Sequence, residues 1–437
     1  MKSHCLMMGL CCLLCFNCQV FAQDSLRLEQ DSLRLELTLE EAQNYALENN
    51  RTLKNASLDV QKSQATLWQS IASMLPQLNA QADYSNYCGY QMDFGSMSIP
   101  MNPYGTLGIT ASIAFSGAQV VAVQTSKIAQ RMSDITYKQS EQQIKDQVKT
   151  LYYSALVMEQ TLGLLDKNLA NMEQLYQYTQ ASVYAGVAEQ TDADQLQVQV
   201  ANMQTSINSS KRSMEMVYNS MRLQLGVDVQ TEIVLTQTID DLLNIDEAFA
   251  LLSEEFVLDN NYSYQLLKEN TALSKKQLAA QKWSTGPQLS AYYQYSAKTY
   301  FGQDEGMNMT PPNMVGVSVS IPLFTSLSKA KSIQAAKFDY EKQLNTMADT
   351  EDALRVQHSQ LCYNLSTAYE TYDTQKKNID VTQRIFDNIS NKYEVGAAAS
   401  LDLTNAGNNL ISAQSSYVQA LLELVNAQIA LEELLNK

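Results

Sequence analysis

The chain is short of positive charge. Its 30 Lys and Arg residues face 46 Asp and Glu, a formal net charge of −16. That balance argues against a nucleic-acid partner, which selects a basic face, and against docking on anionic lipid. Only 17% of residues are charged and 45% are apolar, which excludes a disordered chain. No apolar run of about 20 residues follows the N-terminal segment, so no helical membrane span is expected. Cysteine is scarce where it could staple a fold. Cys5, Cys11, Cys12, Cys15 and Cys18 fall in the first 22 residues, and only Cys88 and Cys362 remain, in a predicted loop and a distant predicted helix. Two cysteines make no disulfide framework. There is no nucleophile elbow, phosphate loop, HExxH or paired-Cys motif, and His358 has no metal-spaced partner. No catalytic residue, cofactor or metal site is expected.

At the N-terminus, Lys2 and His4 precede an apolar run from Cys5 to Phe21, and Val20-Phe21-Ala22 places small residues at the −3 and −1 positions of a cleavage site. Residues 1–22 read as a secretory signal, with the mature start near Gln23. Cys18 follows Phe16 and Asn17, which suit a lipidation motif poorly. An exported chain with no apolar helix spans a membrane, if at all, as a barrel.

Two stretches supply barrel-like strands. In the first, Leu78, Ala80, Ala82 and Tyr84 alternate with Asn79, Gln81, Asp83 and Ser85; then Leu107, Ile109, Ala111, Ile113 and Phe115 alternate with small or polar residues. In the second, Leu289, Ala291, Tyr293 and Tyr295 share one face, as do Val315, Val317, Val319, Ile321 and Leu323. Runs of about ten residues with one apolar face are the length a tilted strand needs to cross a bilayer. The expected strands are 77–87, 106–115, 288–297 and 313–324.

The rest reads as helix. A tandem heptapeptide, Asp24–Gln30 then Asp31–Leu37, is expected to form an N-terminal tail over 23–37. Thr38-Leu-Glu-Glu41 is a capping box that opens a helix over 38–75. Helices are expected at 117–184 and 191–226, then a linker with a short strand at 228–245, then helices at 246–284, 328–393 and 401–436. Leu151, Ala155, Met158, Leu162, Leu165, Leu169, Met172 and Tyr176 follow steps of four and three without Gly or Pro, a coiled-coil seam. Gly186 and Gly396 mark turns.

The plan occurs twice, as 38–227 and 246–437. Pro76-Gln-Leu recurs as Pro287-Gln-Leu, Ile113 as Ile321, Gly186 as Gly396 and Asp192 as Asp402, always at a shift near 210 residues. The seam carries over to Leu361, Leu365, Ala368, Tyr372, Gln375, Ile379, Thr382 and Phe386. Two helices of about 35 residues stacked end to end match one of about 70. Four strands cannot close a barrel, because the smallest bacterial barrels have about eight, and an open edge is not tolerated in lipid. Three copies supply about twelve strands.

Leu39-Glu-Glu-Ala-Gln-Asn-Tyr-Ala-Leu-Glu-Asn49, Leu75-Pro-Gln-Leu78, Ile321-Pro-Leu-Phe324 and Tyr393-Glu-Val-Gly396 with Ser400-Leu-Asp-Leu403, taken with the duplication, resemble the TolC-like outer-membrane efflux proteins over essentially the whole mature chain. The resemblance implies a mixed fold: a membrane β-barrel on an α-helical coiled-coil barrel, built by a homotrimer in the outer membrane. It also implies a passive exit duct serving an inner-membrane pump and a periplasmic adaptor. It further implies a gate at the periplasmic tip, where Asp192, Asp402 and Asp194 are the constriction candidates and the turns at Gly186 and Gly396 face the adaptor. Where the family often carries a second acid three residues after the position of Asp402, this chain has Asn405.

Carboxylates around a narrow pore attract cations and hinder anions. Both Asp192 and Asp402 also lie in a helix's first turn, where an acid offsets the macrodipole, and Thr191 with Asp194 resembles a cap. Tyr84, Tyr87, Tyr292, Tyr293 and Tyr295 suit an interfacial aromatic girdle or ordinary strand positions. Met92, Met97, Met101, Met307, Met309 and Met314 cluster near the outer loops, but their irregular spacing weighs against a soft-metal site. Against the duct stands a second reading, an exported coiled-coil scaffold whose strands are soluble hairpins.

Overall fold

The computed structural model describes residues 34–95, 97–242, 244–301 and 311–437. The signal segment, the start near Gln23, the first heptapeptide, Met307 and Met309 lie outside them. At Thr38 the capping box forms as the sequence dictates. The hydroxyl accepts from the Glu41 N–H at 3.3 Å, and the Glu41 carboxylate accepts from the Thr38 N–H at 2.8 Å. Just before it, Arg34–Leu37 is a strand (β1) rather than tail, paired parallel with Glu232–Leu235 (β6) in the predicted linker. Leu37 and Ile233 anchor this pair in the core.

The helix expected over 38–75 is two helices, α1 (Leu39–Asn49) and α2 (Arg51–Ala72). The break has a local cause. Buried Asn50 stops the first helix and caps the second, accepting from the N–H groups of Thr52 (2.8 Å) and Leu53 (3.3 Å). The helix expected over 246–284 is likewise broken, into α6 (Ile245–Leu252), a 3-10 turn (Leu258–Asn260) and α7 (Tyr262–Trp283). Asn261 caps α7 by accepting from the Tyr264 N–H at 3.1 Å. A one-turn helix, α5 (Ile239–Leu242), follows β6.

Strand β2 is Gln77–Ser85, shorter than expected because an Asx turn at Asn86 curls the chain. The predicted loop that follows holds a small hairpin, β3 (Gln91–Phe94) with β4 (Met97–Pro100). Then come β5 (Tyr104–Ser116), β7 (Gln288–Tyr300) and β8 (Asn313–Ser320). Strand β8 stops four residues before the expected end at 324. Ser320 already faces Gln288, the first residue of β7, so Ile321 has no partner, and Pro322 cannot donate to a ladder.

Four long helices complete the chain: α3 (Gly117–Tyr184), α4 (Gln190–Leu225), α8 (Ser328–Glu394) and α9 (Ser400–Leu435). Lengths pair across the halves: 22 and 22 residues for α2 and α7, 68 and 67 for α3 and α8, 36 and 36 for α4 and α9. Strands follow the order β2-β5-β7-β8, all antiparallel. Beneath them α2 packs on α3, α3 on α7 and α7 on α8. Each strand therefore continues into the helix of its own column, and sheet and helix layer share one wall. Farther down, α3 pairs with α4 and α8 with α9, and α3 contacts α9. The seam residues of both long helices are buried or half-buried throughout.

Three apolar clusters run down the molecule. The first joins α1, α3, α4, β1 and β6 around Tyr152, Met221 and Leu225; the second joins α3, α8 and α9 around Leu365, Leu421 and Leu424. The third, nearest the helical turns, joins Leu162, Met172, Leu196, Ile207, Phe386 and Leu403.

Candidate functional site

The sheet offers the first functional geometry. Registers align Leu78 with Ala111, Ala80 with Ile109 and Ala82 with Leu107. Ile109 aligns with Tyr295, Ala111 with Tyr293 and Phe115 with Leu289. Leu289, Ala291 and Tyr293 then align with Val319, Val317 and Val315. Since side chains of facing residues project to the same side, every apolar row falls on one face. That face is bare: Leu78 is 73% exposed, Val315 78% and Val317 70%. Such a contiguous apolar surface marks an interaction with lipid or protein. The opposite face carries Gln, Asn, Ser and Thr. Both outer strands, β2 and β8, are sheet edges.

The five tyrosines read as a possible girdle divide between these faces. Tyr84, Tyr293 and Tyr295 lie in the apolar rows. Tyr292 lies on the polar face, where its ring crosses Gly316 so closely that an added Cβ would stand 2.6 Å away. Tyr87 also belongs to the polar side, its ring 6.2 Å from that of Tyr104. Among the described residues no helix is long and apolar enough to cross a membrane.

The second geometry is the pair of helical turns. Gly186 and Gly396 adopt φ of +75° and +72°. Each is the left-handed residue of a Schellman ending. The Val187 N–H donates to Ser182 O and the Gly186 N–H to Val183 O; the Ala397 N–H donates to Lys392 O and the Gly396 N–H to Tyr393 O. Only residues without a Cβ enter this conformation cheaply.

The three aspartates differ despite their matched positions. Asp402 caps α9, its carboxylate accepting from the Ala399 N–H at 3.2 Å. Asp192 makes no side-chain hydrogen bond among the described residues and is half-buried. Asp194 is exposed and accepts from Gln190 Nε2 at 2.9 Å. The expected Thr191–Asp194 cap does not form: Glu189 is the N-cap, and the Thr191 hydroxyl turns back to its carboxylate at 3.3 Å. The reason is register, since the helix begins one residue before Thr191.

Sequence reasoning missed what ties the two turns together. The Tyr178 hydroxyl donates to Glu394 O at 2.8 Å, and Thr179 Oγ1 and Tyr393 Oη lie 2.7 Å apart. Thr179 is wholly buried. A hydroxyl three residues past the expected seam's end, the next step of that seam and opposite a tyrosine at the end of α8, was the available signal. Also missed was Asp146 in mid α3, whose carboxyl burial pushes up to about 7, with Glu433 adding to the rise and Gln142 and Lys149 opposing it.

His358 stacks on Phe256 at 5.1 Å, and its Nε2 lies 3.6 Å from Cys362 Sγ. Cys88 and Cys362 are free thiols. Among the described residues no group of three or more His, Cys, Asp or Glu is placed to hold a metal.

Comparison with known proteins agrees with this geometry. Over 334 residues the chain is 24% identical to the outer membrane efflux protein BepC of Brucella suis biovar 1 (strain 1330), covering 75% of this chain and 71% of that protein. Its fold matches the solved structure of CusC with a TM-score of 0.77 at 16% identity, covering 94% of this chain and 95% of CusC. It also matches the open state of the MtrE outer membrane channel of Neisseria gonorrhoeae, with a TM-score of 0.75 at 15% identity and 93% of each chain covered. The outer membrane efflux protein family matches residues 43–227 and 258–437, so the chain belongs to that family.

Proposed function

We propose that this protein is the exit duct of a tripartite efflux or secretion system, acting as a homotrimer that passively conducts substrates from periplasm to exterior. The observation that carries the reading is the four-stranded sheet with one bare apolar face and two open edges. Each large apolar side chain removed from water contributes roughly 1.5–3 kcal/mol, and an unpaired edge in lipid costs several more per group. Pairing β8 of one protomer with β2 of the next removes the open edges, and lipid takes the apolar face out of water. Three copies then give twelve strands, an even number within the known range. The helix layer has the same order, so the contact that closes the barrel joins α8 to α2.

In this trimer the apolar face meets outer-membrane lipid, and the polar face lines the lumen. The helical end projects into the periplasm, where the turns at Gly186 and Gly396 meet a periplasmic adaptor and, through it, an inner-membrane pump. Asp192, Asp402 and Asp194 narrow the tip and favour cations. BepC and MtrE support this assignment as an outer membrane efflux protein and an outer membrane channel. The one-sided apolar register weighs against a scaffold with soluble hairpins, whose exposed rows would aggregate.

The test is single-channel current from the purified trimer in a planar bilayer, comparing the native protein with Asp192→Ala/Asp402→Ala. A small cation-preferring current that grows or loses preference in the double variant is the expected result. Absence of any current from intact trimers would overturn the duct. A carbonate wash that releases the protein from outer membranes would point to the scaffold.

A further inference from the structure

The four strands of the sheet carry only two charged residues, Asp83 on β2 and Lys298 on β7. The registers place them in one row, since Thr106 faces Asp83 on one side and Lys298 on the other. Two strand spacings separate their Cα atoms by about 10 Å, within reach of a long lysine. They nevertheless form no ion pair among the described residues. The Lys298 ammonium lies 3.8 Å from the centroid of the Tyr104 ring and 4.8 Å from that of Tyr300. These two rings are 6.0 Å apart, and the Tyr87 ring lies 6.2 Å from that of Tyr104, tilted by 41°. Asp83 accepts from Gln81 Nε2 at 3.0 Å.

Tyr104, Thr106 and Lys298 belong to the polar face, at the end of β5 and β7 farthest from the helices. A lysine seated on two aromatic faces is a placed charge rather than a mobile one, because the ring quadrupoles hold the ammonium while its remaining N–H groups stay available. Resting on the trimeric duct proposed above, this geometry points to a binding ring at the outer mouth. We propose that Lys298, seated on Tyr104 and Tyr300 and opposed by Asp83, forms a binding ring for departing aromatic anions, separate from the acidic tip. The ammonium meets the anionic group and the three tyrosine rings meet the aromatic surface. Asp83 keeps the grip loose by its like charge.

Pyrene tetrasulfonate, added only on the sheet side of trimers in a planar bilayer, tests the ring. Native channels are expected to be blocked. Lys298→Gln weakens the block about tenfold, Lys298→Arg retains it, and Asp83→Asn strengthens it. Each variant is first checked for trimers of native heat resistance. Block unchanged by Lys298→Gln and Asp83→Asn, with current intact, overturns the ring and leaves the duct standing. Loss of block in Lys298→Arg equal to that in Lys298→Gln also overturns it, since charge would then not be the cause. Absence of current in the native trimer removes the duct and the ring together.

Discussion

Asn50 and Asn261 hold matched places in the two halves, each doing two jobs with one side chain. The Asn50 carboxamide oxygen caps α2, and its Nδ2 donates to Gln224 O at 2.8 Å, pinning the end of α4. The Asn261 oxygen caps α7, and its Nδ2 donates to Leu434 O at 3.2 Å, pinning the end of α9. Both are buried, at 4% and 8% exposure. Replacing Asn50 by Ala removes an N-cap, about 1 kcal/mol, and leaves the part-buried Gln224 carbonyl without this donor, a further 1–3 kcal/mol or so. A local destabilisation of about 2–4 kcal/mol follows. Hydrogen exchange of the intact protein reads it directly: at 2 kcal/mol the amides of Thr52 and Leu53 exchange roughly thirtyfold faster through local opening. Asn50→Ser keeps the cap acceptor and falls between. Asn50→Asp keeps the acceptor, but it loses the donor and turns a charge toward a carbonyl, so it behaves like Ala or worse. Exchange in Asn50→Ala within about threefold of native would refute the reasoning, because the opening penalty would then be far below that of a lost cap and pin.

Stability should also depend on Asp146. Its folded pKa lies at about 7, above the ordinary 3.8, through burial. The unfolded chain therefore ionises first, and stability falls as pH rises from about 4 to about 7, levelling off above. Asp146→Asn flattens that slope in unfolding measured across the same range. Gly186→Ala or Gly396→Ala places a Cβ at positive φ and costs about 1 kcal/mol at the turn, visible as faster exchange of the turn amides. Because Asp402 is held in a cap and Asp192 is not, Asp192→Ala should alter ion preference more than Asp402→Ala. Asp402→Ala should loosen the start of α9 more. Equal shifts in reversal potential would contradict that division. Thr179→Val and Tyr393→Phe remove the same hydrogen bond, so the double variant should raise channel current no more than either single one.

What the sequence disclosed and what it hid divide along a physical line. Alternation at period two located the strands because the two faces of the sheet carry opposite kinds of side chain at successive residues, and the seam located the long helices because one face is buried for many turns. These signals are long and redundant. Asn50 and Asn261 gave none of comparable length. Each breaks a helix through a single buried amide whose second partner lies 174 or 173 residues away, and a lone Asn in a helical pattern reads as an ordinary polar position. The tip ties of Tyr178 and Thr179, and the seat of Lys298 on Tyr104 and Tyr300, are hidden for the same reason: each joins elements that only the fold makes neighbours. Matched positions also misled. Asp192 and Asp402 occupy equivalent places in the repeat, yet one caps its helix and the other does not. The turn before α9 presents the Ala399 N–H to a carboxylate, whereas the turn before α4 presents a Glu189 side chain that engages Thr191. Duplication thus preserves spacing, which fixes the wall. It does not preserve hydrogen-bond assignment, which decides the charges at its ends. In the trimeric duct proposed above, a gate built from such diverged halves would have three carboxylates of one kind and three of another, a threefold rather than a sixfold ring, and the uncapped Asp192 set is the one expected to govern the passing ion.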